Sequence, residues 1–131
     1  MIIRLLLVLC ACACATAMPA AAKPWNVMDL GKLQKDEHCM LAAARTFKSL
    51  RAEYGAERLR ASDWVTYADR IAGQHDALIS CNYAGFSSAR ATLVVHSAAR
   101  HVDAHFIARR ISLIFEGHAK QVTQDWRDSL D

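Results

Sequence analysis

The stretch Ala77-Leu78-Ile79-Ser80-Cys81-Asn82-Tyr83 decides how we expect this chain to fold. Side chains along a β-strand alternate between two faces, which makes one face of this stretch apolar and the other mixed. The apolar face carries Ala77, Ile79, Cys81 and Tyr83, and the mixed face carries Leu78, Ser80 and Asn82. We therefore predict a strand over 77–83 that directs Cys81 into the core.

A helix is predicted on the N-terminal side of this strand, over 36–54. Its apolar residues recur at spacings of three and four, which is typical of a helix with one buried stripe: Met40, Ala43, Phe47, Leu50 and Tyr54. Gly55 suits the end of the helix because glycine adopts left-handed backbone conformations easily. Cys39 lies on the Ala43 side of the stripe, so it also faces the predicted core.

Two more strands are expected around the central one. Alternation over 90–96 turns Ala91, Leu93 and Val95 inward. The segment Trp64–Ala68 is rich in β-branched and aromatic residues, which favours a strand, although its apolar spacing also fits a helix that ends at Gly73. We expect residues 56–62 to form a polar connector and residues 23–31 an irregular lead-in.

The last predicted element is a helix over 100–115, interrupted by Gly117 and followed by a tail that frays. Its core stripe is broadened by flanking apolar residues: Ile107, Ile111, Ile114 and Phe115, with Val102, Phe106 and Leu113. The assembled prediction is an α+β fold: a helix, a three-stranded antiparallel meander and a second helix, with both helices on one face of the sheet. Residues 23–131 would form one two-layer domain.

Residues 1–22 resemble an export signal. Arg4 is followed by an apolar run from Leu5 to Ala15, and Ala20–Ala22 provides small residues for cleavage. The run is about half of the ~20 residues that a transmembrane helix needs, so we predict no membrane span and a periplasmic or secreted protein. Two alternatives are cleavage after Ala17 and a lipid anchor attached at Cys12.

Cleavage of the leader removes three of the five cysteines and leaves Cys39 and Cys81. Two cysteines in an oxidising compartment most simply form a disulfide. A redox pair is the alternative, but neither cysteine belongs to a Cys-x-x-Cys turn that would lower a thiol pKa. We predict a structural disulfide.

Charge excludes some classes of partner. The formal net charge is only +3, and no basic run suggests a nucleic-acid surface. Arg109 and Arg110 interrupt the apolar run 106–115, which would suit a helix lying on a membrane surface, but an amphipathic core helix with its arginines in water explains them better.

The order of elements and the placement of the cysteines resemble small exported domains of unknown function, without a named family. The resemblance covers residues 36–116 and rests on few residues: Cys39, Ile79-Ser80-Cys81 and Thr92-Leu93-Val94-Val95. It implies a layout rather than an activity.

Three histidines form the main candidate for a ligand site. His101 and His105 are four residues apart on a predicted helix, so both imidazoles can reach one metal ion, and His96 ends the preceding strand. The alternative is a polar helix N-terminus without a ligand. Ser97, His101 and Asp103 also supply the residue types of a hydrolase triad, but His101 and Asp103 would point in opposite directions on a helix. We predict no catalytic residues and no cofactor.

The outer sheet face is the remaining candidate site, because neither predicted helix is left to cover it. Its predicted partner-binding residues are Asn82, Arg90, Thr92 and Val94, and Leu78, Ser80 and His96 share that face. We predict an exported, non-enzymatic binding or accessory module for an unidentified protein partner. The alternative is a metal- or small-ligand-binding protein that uses His96, His101 and His105.

Overall fold

A five-stranded antiparallel sheet and two helices make up the part of the chain that the computed structural model describes, residues 24–98 and 104–130. In chain order the elements are β1 (Trp25–Leu33), α1 (Asp36–Tyr54), β2 (Arg58–Ala61), β3 (Val65–Ile71), β4 (His75–Tyr83), β5 (Ala89–Ser97) and α2 (Ala104–Asp128). None of these helices is long and apolar enough to cross a bilayer.

The strands lie in the order β1-β5-β4-β3-β2. Strands β2 to β5 form a meander of successive antiparallel neighbours, and β1 joins the free edge of β5. The two edge strands are therefore β1 and β2, and α1 connects one edge to the other. The α+β class is confirmed.

The core lies between the two helices and one face of the sheet. Fully buried side chains come from both helices and from alternate strand positions, which shows that both layers share one interior: Phe47, Leu50, Ile111, Phe115, Ile79 and Leu93. The strand positions that were predicted to face inward on β5 are all buried: Ala91, Leu93 and Val95. Burial of these side chains supplies the main driving force for the fold.

Cys39 and Cys81 meet inside this core. Both are fully buried, their sulfurs are at bonding distance, and their Cα atoms are 5.9 Å apart. The predicted spacing of a disulfide is confirmed. The bond ties the first turn of α1 to β4, which occupies the centre of the sheet.

The three predicted strands pair as an antiparallel meander, β3-β4-β5, but the predicted strand number is wrong because the sheet has five strands. The ambiguous segment at 64–68 is a strand, β3, rather than a helix, and it begins at Val65 and extends to Ile71. The central strands were each predicted slightly too short: β4 starts at His75, and β5 runs from Ala89 to Ser97.

Strand β1 occupies the segment predicted as an irregular lead-in. Hydrophobicity alternates only briefly: the outer positions Trp25 and Val27 flank the polar Asn26, but the next inner position, Met28, is also apolar. A bulge between Asp29 and Gly31 then shifts the register by one residue. Gly31 allows this bulge because its φ of 95° is costly for other residues.

Strand β2 replaces part of the predicted polar connector. It has only four residues, and all of them except the half-buried Leu59 are exposed. A short edge strand of this kind carries almost no hydrophobic signal because one side of its backbone and most of its side chains are in water.

Helix α2 continues through Gly117 to Asp128, so the predicted interruption and fraying tail are wrong. Val122 is only 3% exposed in the core, and its burial outweighs the roughly 1 kcal/mol that a helical glycine costs.

Three side chains that were expected in the core are exposed instead. Phe106 and Leu113 of α2 are 70% and 59% exposed, and Tyr83 of β4 is 70% exposed. Residues 99–103, including Val102, lie outside the described residues.

Candidate functional site

The outer face is the side of the sheet turned away from α1 and α2. Four apolar side chains line up across it on neighbouring strands, and we call them the apolar row: Val27, Val94, Leu78 and Tyr67, on β1, β5, β4 and β3. Each is the direct cross-strand partner of the next, so the row spans four strands spaced about 4.8 Å apart. Val27 is 67% exposed, and the other three are half-buried by their neighbours.

The four residues predicted to bind a partner all lie on this face. Asn82 is opposite Arg90, Val94 is opposite Leu78, and Thr92 lies between them opposite Ser80. Arg90 forms an ion pair with Asp29 of β1. The structure thus brings the predicted residues together, while their role in binding stays a prediction.

A hollow of about 190 Å³ opens beside the apolar row. Leu78 and Val94 form its floor, and Trp25 and Tyr67 stand at its sides. Trp25 is 60% exposed and packs on the His96 ring with a centroid distance of 4.3 Å. The imidazole holds the indole in place while leaving much of it open to a partner.

Two carboxylates complete the hollow. Asp69 forms ion pairs with two arginines of β2, at 3.1 Å from Arg60 and 3.7 Å from Arg58. The Arg60 guanidinium also lies 5.1 Å from the centre of the Tyr67 ring. Asp76 instead accepts a hydrogen bond of 2.9 Å from the backbone N–H of Arg70.

The predicted histidine cluster does not assemble in full. His96 is on the outer face, whereas His105 lies on the helix side, where its Nδ1 is 3.4 Å from the Asn26 amide nitrogen. His96 and His105 therefore lie on opposite sides of the sheet, and metal binding by the predicted histidines stays a prediction. His101 lies outside the described residues, and within residues 24–98 and 104–130 no three metal-binding side chains come together.

Ser97, a member of the triad weighed above, is not an accessible nucleophile. Ser97 is 3% exposed on the core face, opposite His75, which is 4% exposed. Burial lowers the pKa of His75 against the opposing effect of the Asp76 charge. Asp103 lies outside the described residues.

A larger hollow, of about 480 Å³, runs between β1 and the C-terminal half of α2. Much of its rim consists of long, exposed polar side chains: Lys32, Gln34, Lys120, Gln124 and Arg127. It lacks aromatic residues, which anchor many protein interfaces. The outer face is therefore the stronger candidate site.

Sequence reasoning missed the part of the face that β1 and β3 supply. Trp25 and Val27 flank the polar Asn26, and this short alternation was the available signal for an outward-facing strand. Tyr67 and Asp69 alternate in the same way on β3. Their place beside Val94 and Asp76 depends on strand order, which local patterns do not reveal.

Comparisons with protein-family models, with curated proteins and with solved structures return no match to this chain. Its function is therefore inferred from the geometry of the outer face.

Proposed function

We propose that this protein is an exported, non-enzymatic binding module that captures a protein partner with its outer face. The main support for this proposal is the apolar row, which crosses four strands. No helix or strand within residues 24–98 and 104–130 covers it. Contiguous apolar surface of this kind marks interaction sites, because its burial against a partner is favourable.

The arrangement around the row suits a protein rather than a small molecule. Ion pairs lie on both sides of it, Asp29 with Arg90 towards one end of the strands and Asp69 with Arg58 and Arg60 on the β3–β2 side. Protein interfaces commonly combine an apolar centre that contains aromatic residues with a polar rim. Trp25 is the exposed aromatic side chain that would serve as the anchor.

Export is supported by the leader-like residues 1–22 and by the disulfide, which is compatible with an oxidising compartment. The module would act in the periplasm or outside the cell as an inhibitor, an immunity-type protein or an accessory factor of the envelope. In the alternative with a lipid anchor at Cys12, the same face would act at a membrane surface.

The test introduces a charge at matched exposed positions on the two sides of the molecule. Val27→Asp places a carboxylate in the apolar row, and Leu113→Asp places one on the solvent side of α2. Proteins crosslinked to the wild-type chain in the exporting cell are identified, and the affinity of each purified candidate is measured by calorimetry.

We expect Val27→Asp to weaken binding of the partner at least tenfold, about 1.4 kcal/mol, and Leu113→Asp to leave it unchanged. Val94→Asp repeats the test at the centre of the row. A partner whose affinity is unaffected by both row variants would overturn the proposed surface.

A further inference from the structure

We infer that the hollow beside the apolar row receives a basic side chain, lysine or arginine, of the protein partner. This inference rests on the proposed function and names the chemistry of the contact. The guest would lie over Leu78 and Val94, with its charged end directed to Asp76 and its stem against Trp25.

The size of the hollow fits one side chain. Its volume is about 190 Å³, whereas pockets for drug-sized ligands usually enclose roughly 300–1,000 Å³. Its floor is aliphatic, which suits the long hydrocarbon stem that lysine and arginine bury while their charged ends remain near polar groups. A short acidic side chain has neither a long hydrocarbon stem to cover this floor nor a positive charge to pair with Asp76.

The molecule already contains the same interaction on the neighbouring strand. Arg60 places its guanidinium over the ring of Tyr67 and within hydrogen-bonding distance of Asp69. An aromatic face beside a carboxylate attracts a cation through both the ring quadrupole and the charge. Trp25 and Asp76 supply the same two residue types to the hollow from β1 and β4, on either side of His96.

Asp76 retains the capacity to bind this guest. Its Oδ1 accepts the Arg70 backbone N–H, and no ion pair to it is formed by the part of the chain that the structure describes. A carboxylate offers about four acceptor positions, so most of them stay available. The adjacent His75 is buried on the opposite, core face of the sheet, so it does not enter the hollow.

The test measures small probes that carry the proposed side chains. N-acetyl-lysine methylamide and N-acetyl-arginine methylamide are titrated into the protein, and the indole N–H signal of Trp25 is followed by NMR. N-acetyl-norleucine methylamide provides a similar apolar stem without the charge. Asp76→Asn removes the carboxylate charge, and Asp63→Asn, on the exposed turn before β3, is its matched control.

We expect millimolar binding of both cationic probes, weakened at least about fivefold by Asp76→Asn and unchanged in Asp63→Asn. The norleucine probe should bind at least about fivefold more weakly than lysine. Trp25→Leu should also weaken the cationic probes, because it keeps an apolar side chain but removes the ring. Equal binding of the charged and uncharged probes, or an unchanged affinity in Asp76→Asn, would overturn the inference.

The partner identified above separates this inference from the proposed function. If Val27→Asp abolishes binding of that partner but Asp76→Asn does not weaken it, the face is correct and the basic contact is refuted. Loss of affinity in both variants, with Leu113→Asp unaffected, supports both.

Discussion

The bond between Cys39 and Cys81 joins residues that are 42 positions apart in the chain. Closing a loop of this length restricts the unfolded chain by about 4 kcal/mol on the chain-entropy model. This is a large part of the 5–15 kcal/mol that typically separates folded from unfolded domains. The structural role predicted for the disulfide can therefore be tested by stability.

The double substitution Cys39→Ala, Cys81→Ala should lower the free energy of unfolding by about 2–5 kcal/mol, measured by urea denaturation. Replacing both residues avoids a free buried thiol. Reducing agent should destabilise the wild-type protein by a similar amount and leave the double variant unchanged. A loss below about 0.5 kcal/mol would contradict a structural role.

His118 makes the stability of the protein depend on pH. Burial, reinforced by the positive charge of Arg45, lowers the pKa of this imidazole in the folded state, where it also contacts Ser49 at 2.9 Å. The unfolded chain binds the proton more readily, so His118 contributes stability above the unfolded pKa of about 6.5. That contribution is lost as the pH falls from this value towards the folded pKa.

We expect the free energy of unfolding to fall between about pH 7 and pH 5 and His118→Gln to flatten this dependence. Ser49→Ala removes the hydrogen bond without removing the imidazole and should retain the slope. His75 acts with the same sign, since burial also lowers its pKa, so part of the slope should remain. Identical slopes for His118→Gln and wild type would refute the assignment.

Glu53 and Glu116, whose pKa values are lowered by Arg110 and Lys120, affect the stability only at more acidic pH.

At the scale of the element, helix α2 contains a glycine that its packing does not require. Gly117 is exposed, and a Cβ added there would meet nothing within 4 Å. Gly117→Ala should raise the free energy of unfolding by about 0.5–1 kcal/mol, because alanine loses less backbone entropy in a helix. Denaturation by urea measures the change.

The matched control for this substitution is Gly73→Ala. Gly73 also has open space around its Cα, but its φ is +76°, so alanine there should destabilise the protein. Destabilisation by Gly117→Ala would mean that α2 does not continue through this position as a regular helix.

The elements also show how far sequence patterns determine this fold. Periodicity placed Cys39, Phe47 and Leu93 in the core, because a side chain on a regular helix or strand repeats its direction with a fixed period. Helix α2 was predicted too short because the burial of Val122 depends on contact with distant residues. Strand β1 was missed because the bulge at Asp29 interrupts its alternation.

The candidate site was predictable only where it lies on the central strands. Asn82, Arg90, Thr92 and Val94 were assigned to one face by alternation alone, and the structure places them there. The hollow beside them needs Trp25 from β1, which precedes β5 by some seventy residues in the chain. Pairing over such a distance is set by the whole sheet and leaves no local pattern.

At the scale of the whole molecule, the sheet has a protected centre and two unequal edges. Strand β4 lies in the middle, covered by the helices on one face and fixed to α1 by the disulfide. Strand β1 is an edge that α2 packs against, whereas β2 is a four-residue edge with mostly exposed side chains. Stability should therefore differ along the sheet, because local opening is easiest where little apolar surface is buried.

Hydrogen exchange of the backbone amides should reveal this order. We expect amides of β4 and β5 to exchange most slowly, through global unfolding, and those of β2 to exchange fastest among the strands, through local opening. Amides of β1 that pair with β5 should be intermediate, because α2 covers one side of the strand. Reduction of the Cys39–Cys81 bond should accelerate exchange in β4 and β5 by lowering global stability, with a smaller effect on β2.

Exchange in β2 as slow as in β4 would show that this edge strand opens only when the whole molecule unfolds. The distinction between the two edges would then be lost. The intermediate stability of β1 also bears on binding, since this strand holds Trp25 and Val27: a captured partner should slow exchange in β1 more than in β2.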